Sequence, residues 1–527
     1  MSSSRQLAIV ASEQEHQLDD IFQTVPSDIH TVRVAKIDNI QSRIGDAVNW
    51  KENLFARTRL ESPVTSSVAS APAPKPDSSY IKYSHYVSDD EYVLFDIVRG
   101  QDESKKKRDS ALGFVRAGPR ARVLAGPRRA AIVTAGSMCP GQNEVVAELF
   151  NCLYFNYGLD TIFGIRGGFS GFYDKDAQPW RKLSPNFVHD AASRGGSILG
   201  FRKGGFDADK ILNACEMYGV NHLFLIGGDG THVSAHALDM AAKQRGSPLT
   251  IACVPNSLEN DLGVIDSSFG FDTAVSVAVS AIDSAATEAA CSPNGVGIVQ
   301  LTGEHAGHLA AHATLAAGKV DLCIVPESPF RLEGEQGILR YVEKVVARKG
   351  YAVVVVAEGA GADVISGRWR LGHTGAAGSR LDHQDDPVAG SEQQAMRHSM
   401  GTFMRTHIER YFKSRGRKAN IKYIEPSYMI RCVKASAADN VHCLSLSHNA
   451  VHAALAGLTG FSSAIVNNRS VLIPIPLIVR ASPSLLSLKG RTWERVLSNT
   501  QQPSYNDYDE ETATALEIFV GQSQSKL

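Results

Sequence analysis

An α/β fold, with a parallel sheet covered by helices on both faces, follows from three features of this sequence. From Ala130 onward, apolar strand-like runs alternate with helical stretches. The strand-like runs are short and continuously apolar, as strands buried on both faces must be. Finally, the run 220–225 (VNHLFL) ends in glycines, and the run 249–255 (LTIACVP) ends in a turn rich in carboxylates.

Taken in order, residues 1–60 contain mixed helix-like stretches, and 61–79 (ESPVTSSVASAPAPKPDSS) form a linker that buries too little apolar surface to fold. Next come a strand at 130–136 (AAIVTAG), a helix at 144–158 (EVVAELFNCLYFNYG), a strand at 160–166 (DTIFGIR) and a helix over Ala208–Tyr218. The polar insertion 380–400 reads as a loop or short helix. The predicted division is an N-terminal extension (1–125), a core (126–495) and a C-terminal tail (496–527).

With 527 residues, 43% hydrophobic and 21% charged, the chain has room for two or three ordinary globular domains. A net charge of −1 gives no bulk field to recruit nucleic acid or membrane. The basic run Lys105-Lys106-Lys107-Arg108 sits beside Asp102 and Glu103 and reads as a solvated loop. Eight cysteines lie scattered, mostly in apolar segments and without a C-x-x-C pair, which predicts buried thiols in a reducing compartment and neither disulfides nor zinc. No apolar run reaches the roughly 18 residues of a transmembrane helix, and the polar N-terminus is no secretory signal. Ser525-Lys526-Leu527 is the peroxisomal import tripeptide at the C-terminal position where its receptor reads it. The expected location is a peroxisome-like organelle, with the cytoplasm as the alternative.

The chemistry is concentrated in two turns. Gly227-Gly228-Asp229-Gly230-Thr231 follows a buried strand, and its glycines let backbone approach a phosphate at the sheet edge where parallel strands bind ligands. Asp229 offers a carboxylate of the kind that holds Mg²⁺ together with substrate phosphates. The second turn adds Glu259 and Asp261, one a candidate base. On its own, GGDGT could be a bare strand-to-turn connection. A carboxylate-rich turn after the next strand argues for phosphoryl transfer instead.

A run of motifs in order then resembles the 6-phosphofructokinase family, in the ATP-using branch of plants, algae and trypanosomatids. AIVTAGSMCPGQN (131–143) and GGSILGFRKGGFD (195–207) resemble its nucleotide loops, GGDGT (227–231) its metal loop, and VPNSLENDL (254–262) its catalytic loop. FGFDTA (269–274), TGEHAG (302–307), PESPF (326–330), VVAEGAG (355–361), KYIEPSYMIR (422–431) and AVHAALAGLTGF (450–461) follow. The likeness is strong from about Ala130 to Thr492, and begins weakly at 86–91 (YVSDDE) and 117–120 (AGPR). It implies two Rossmann-like lobes, an allosteric glycolytic enzyme with ATP as co-substrate, and a homotetramer with sites built across subunits.

The resemblance also implies roles. Ser137 stands in the nucleotide loop where a second glycine is usual, and Phe169 matches a position near the adenine that is also a plain core position. Lys203 and Gly204 belong to the second phosphate loop, where Lys203 replaces an arginine and loses its bidentate fork. Gly228, Asp229, Gly230, Thr231 and Asn256 line the nucleotide and metal site. Gly230, where pyrophosphate-using enzymes carry aspartate, leaves room for the ATP α-phosphate. Glu259 matches the aspartate that takes the proton from the 1-hydroxyl of fructose 6-phosphate, with Ser257 and Leu258 beside the transferred group. Thr302-Gly303-Glu304 replaces M-G-R, so a negative charge stands where an arginine meets phosphate. Glu327 matches an acid for sugar hydroxyls, and Tyr428 and Arg431 match the grip on the 6-phosphate. An ATP-dependent 6-phosphofructokinase is the reading these residues favour; a catalytically weakened regulatory paralogue and a kinase for another sugar phosphate are the alternatives.

Overall fold

A computed structural model describes residues 86–88, 91–98, 110–120, 122–124, 128–174, 180–192, 194–202, 204–361 and 400–504, together with short strands at 33–34, 38–39 and 50–52. The linker 61–79, the basic run 105–108, Lys203, nearly all of the insertion 380–400 and the C-terminal tripeptide lie outside the described residues.

Two sheets organise the chain. In the ten-stranded sheet the central strands are Ile162–Ile165, Ala130–Thr134, His222–Gly227, Thr250–Pro255 and Phe461–Val466, all parallel. Every residue of Ala130–Thr134, His222–Gly227 and Thr250–Pro255 is buried. Strand geometry sends alternate side chains to opposite faces. Accordingly, Phe224, Ile226, Ala252 and Val254 enter one apolar cluster, and Leu223, Leu225, Ile251 and Cys253 enter another. Helices must therefore cover both faces. Asp229–Arg245 covers one, directing Ala235, Leu238 and Ala242 inward, and Ala437–Leu455 lies on the other beside Gln142–Asn151.

The smaller sheet holds Leu322–Ile324, Tyr351–Ala357, Gly295–Leu301 and Asn420–Ile424, all parallel. Residues from one of its faces, Val299, Val353 and Val355 among them, share a cluster with the large sheet, while Val296, Ile298, Val354 and Val356 face a second layer. These are the lobes the sequence predicts, with one addition. Tyr92–Val98 and Ser110–Arg116, placed by sequence in the extension, are hydrogen-bonded antiparallel into the far edge of the large sheet through Arg469–Pro474.

Strand order locates the site. From Ala130–Thr134 the chain steps to Ile162–Ile165 on one side, then returns to build His222–Gly227 and Thr250–Pro255 on the other. Such a reversal opens a crevice at the carboxyl ends of the two adjoining strands. The smaller sheet reverses likewise between Gly295–Leu301 and Asn420–Ile424. Among the described residues, no helix is long and apolar enough to cross a membrane.

Candidate active site

A cleft of about 490 Å³ opens at these carboxyl ends. The loop after Ala130–Thr134 supplies Gly136, Ser137 and Met138; Gly136 takes φ +85°, a left-handed conformation that glycine adopts without penalty. The side-chain amide of Gln142 donates to the Ser137 carbonyl at 3.1 Å and holds the loop open. Asn143 staples the two nucleotide loops together, donating to the Arg194 carbonyl at 3.0 Å and accepting from the Ile198 N–H at 2.7 Å. A Cβ on Gly195 would collide with the Cys432 carbonyl oxygen, so only glycine lets this loop meet the segment that carries Arg431.

Asp229 begins the 17-residue helix Asp229–Arg245, whose N-terminal dipole favours an anion in front of it. Its Oδ1 is buried and has no hydrogen-bond partner among the described residues. Burial raises the Asp229 carboxyl above its ordinary range and nearby Asp261 raises it further, partly countered by His305. A cation in front of these two acids would relieve both effects, so the donor set fits a magnesium ion carried with phosphates. Gly230 follows within the helix; a Cβ there would meet nothing within 4 Å, so that volume is open cleft.

The second carboxylate turn is held by its own hydrogen bonds. Ser257 Oγ donates to Asp261 Oδ1 and accepts from the Glu259 N–H at 3.2 Å, while Ser268 Oγ donates to the Ser257 carbonyl at 2.6 Å. Asn260 turns the chain at φ +52°, its side-chain oxygen accepting from the Ser268 N–H at 2.9 Å. Glu259 is thereby presented to the cleft, where its Oε2 accepts from the Glu304 N–H at 3.2 Å. Burial, reinforced by Asp261 and Glu358, lifts its carboxyl to about 7; the Glu304 N–H opposes this and the Glu304 charge adds to it.

Across the cleft, the Thr302 hydroxyl and the Arg431 Nε are buried without a hydrogen-bond partner among the described residues, like Asp229 Oδ1. Buried polar atoms are rarely left unpaired, and several converging on one cavity mark where a polar ligand would sit.

The cleft thus gathers Ser137, Gly204, Gly228, Asp229, Gly230, Thr231, Asn256, Ser257, Leu258, Glu259, Thr302, Glu304 and Arg431 from widely separated parts of the sequence, with Phe169 and Arg202 beside them. Lys203 lies outside the described residues, and Gly303 forms the turn behind Thr302 at φ +151°. Glu327 stands back from the wall, its carboxylate accepting N–H groups of Gly307 at 2.9 Å and Leu486 at 2.8 Å. Tyr428 points away, 80% exposed. Met138, Phe206, Ser234 and His305 also line the cleft without having been singled out in the sequence. Each stands next to or near a motif residue, the only signal that could have found it.

Comparison with known proteins matches residues 129–454 to the family model described as Phosphofructokinase. "ATP-dependent 6-phosphofructokinase 7" of Arabidopsis thaliana is 40% identical over 394 residues, 74% of this chain and 77% of that one. The ATP-dependent 6-phosphofructokinase of Trypanosoma brucei brucei is 33% identical over 428 residues, covering 80% and 84% respectively. Among solved structures, phosphofructokinase from Saccharomyces cerevisiae superposes with a TM-score of 0.52 at 19% identity, a likeness of fold that spans 71% of this chain and about half (48%) of that one.

Proposed function

The chain belongs to the phosphofructokinase family, and on that premise we propose that it is an ATP-dependent 6-phosphofructokinase, a glycolytic kinase moving the γ-phosphoryl group of ATP to the 1-hydroxyl of fructose 6-phosphate. The products are fructose 1,6-bisphosphate and ADP. The observation that carries this reading is Glu259, a carboxyl lifted to about 7 at the wall of a cleft whose other groups suit phosphates. A general base works best with a pKa near the operating pH.

The remaining residues take parts consistent with that transfer. The backbone at 136–138 and the first turn of Asp229–Arg245 face the nucleotide phosphates. Asp229 would hold Mg²⁺, which when bound neutralises charge on the phosphate oxygens. Ser257 and Thr302 offer hydroxyls to the transferred group, and the guanidinium of Arg431 suits the two oxygens of a sugar phosphate. Gly230 supports ATP as donor, because the space beside it is open. Assay of the purified protein with fructose 6-phosphate should show turnover with ATP and Mg²⁺. Equal or faster turnover with pyrophosphate overturns the donor assignment.

A second reading, a slowed regulatory paralogue, is favoured by the charge of the cleft. Among the described residues, Asp229, Glu259, Asp261 and Glu304 line it, against Arg202 and Arg431. ATP binding without turnover on either donor would select that reading.

Two further proposals rest on less. A homotetramer completing the sugar-phosphate site across subunits accords with Tyr428 and Met429, 80% and 66% exposed beside Arg431. Residence in a peroxisome-like organelle, by way of the import receptor, rests on the tripeptide Ser525–Leu527 alone.

A further inference from the structure

The helix Gln142–Asn151 runs on into a π-helical turn, Cys152–Asn156, and lies along Ala437–Leu455. At this junction the Cys152 sulfur and one ring nitrogen each of His448 and His452 lie within 4.8 Å of one another. We propose that Cys152, His448 and His452 form a zinc-binding site, separate from the carboxylates of the cleft.

The ligand chemistry selects the metal. One thiolate and two imidazoles suit zinc, whereas magnesium and calcium take oxygen donors. Zinc–ligand bonds of about 2.0–2.3 Å in a tetrahedron put donor atoms roughly 3.3–3.8 Å apart. The observed spacing, within 4.8 Å, is wider than that by about 1 Å. His448 and His452 stand four residues apart and so share one face of their helix.

Two independent features point the same way. π-helical turns are rare and concentrate at functional sites. Both imidazoles are also gripped from outside the cluster: His448 Nε2 lies 3.0 Å from Glu148 Oε2, and His452 Nδ1 lies 2.8 Å from the Tyr157 hydroxyl. Such outer partners fix the ring orientation of metal-bound histidines. Binding displaces the Cys152 thiol proton as the sulfur–zinc bond forms. The His448 side chain is 26% exposed and offers an entry path, and three protein ligands leave the fourth position to water. Such a site departs from the expectation, drawn from cysteine spacing alone, that no thiol binds zinc. Glu148 and His448 are 300 residues apart, and no local motif brings their helices together.

The test is titration of the full-length, chelator-stripped protein with Co²⁺ as a spectroscopic stand-in, then with Zn²⁺. One equivalent should produce a thiolate-to-cobalt charge-transfer band, release a proton and raise the thermal midpoint. Cys152→Ser should abolish the band and weaken Zn²⁺ binding at least tenfold. Cys291→Ser and Cys432→Ser, at the exposed cysteines, should leave both unchanged. Should Cys152→Ser fail to fold by circular dichroism, His448→Gln, at a partly exposed position, decides by the same readouts. No band at one equivalent, or a band that survives the deciding variant, overturns the site.

Discussion

At the scale of single residues, everything turns on two acids that face each other. Glu259→Gln should lower kcat by about 10²–10⁴-fold, because an amide cannot accept the proton, while Glu259→Asp keeps a base. Unchanged kcat in Glu259→Gln would move the assignment to Asp261. The acid limb of the kcat/KM profile should fall near pH 7, where the carboxyl loses its proton. The same shift has a sign for stability. Folding raises this carboxyl from its ordinary 4.5 to about 7, so the folded protein binds the proton more tightly, and stability falls as pH rises through that window. Glu259→Gln should therefore raise the thermal midpoint at pH 8 while lowering activity, a pairing that merely structural damage would not give. The Glu304 charge adds to the raised value, and on the proposed function it stands beside the sugar phosphate. Glu304→Arg should move the acid limb to lower pH and lower KM for fructose 6-phosphate. A charge-assisted bond of about 1.5–3 kcal/mol corresponds to at least tenfold in KM. A profile and KM unmoved by Glu304→Arg would show that its side chain lies outside the reacting field.

At the scale of elements, what the sequence reveals depends on whether the determining contacts are local. The helix Ala208–Tyr218 was legible residue by residue. Asp207 caps it, its side chain accepting from the Lys210 N–H at 3.1 Å, and Gly219 closes it at φ +63°. The next strand begins at His222 and not at Val220, because the Val220 N–H is spent on the Cys215 carbonyl at 2.8 Å, closing the helix end. Most motif turns place their residues at the cleft, since each strand end carries its loop with it, but Glu327 and Tyr428 do not line it. The docking of the antiparallel flank onto Arg469–Pro474 and the Cys152 cluster were not legible, because each depends on partners hundreds of residues away, such as Tyr157 and His452 at a separation of 295. Glycine roles also separate by context. Gly230→Asp should leave folding intact and suppress ATP use, since its side chain meets only open cleft. Gly195→Ala should instead destabilise the protein by about 1–3 kcal/mol, because the added methyl has nowhere to go. Thermal melts and nucleotide titrations of the two variants check this, and a Gly230→Asp protein that binds ATP normally would sink the account of donor choice.

At the scale of the whole molecule, deleting Ser525–Leu527 should release a fluorescent fusion into the cytosol, and a fusion already diffuse with the intact end would make the tripeptide accidental. Domain division allows a sharper test. Residues 1–79 contribute only two- and three-residue strands among the described residues. The segment from 86 to 120 is bound more firmly. The Val87 N–H donates to the Pro119 carbonyl at 2.9 Å, and the Arg120 guanidinium, in a residue only 4% exposed, donates to the carbonyls of Ser88 and Arg116. Phe114 is fully buried in a cluster with Val471, Ile473, Leu477, Ile478 and Leu262. Leu262 follows the turn that carries Glu259 and Asp261, so this segment packs behind that turn. Losing a buried phenylalanine costs about 3–5 kcal/mol, and its departure here also bares the edge of Arg469–Pro474. Deletion of residues 1–79 should therefore leave the thermal midpoint and kcat close to those of the full chain. Deletion of 1–125 should lower the midpoint sharply and cause aggregation, with the soluble remainder losing kcat more than ATP affinity. If the shorter protein melts and turns over like the full chain, the extension is an appendage, and the support of the catalytic turn lies wholly within 126–495.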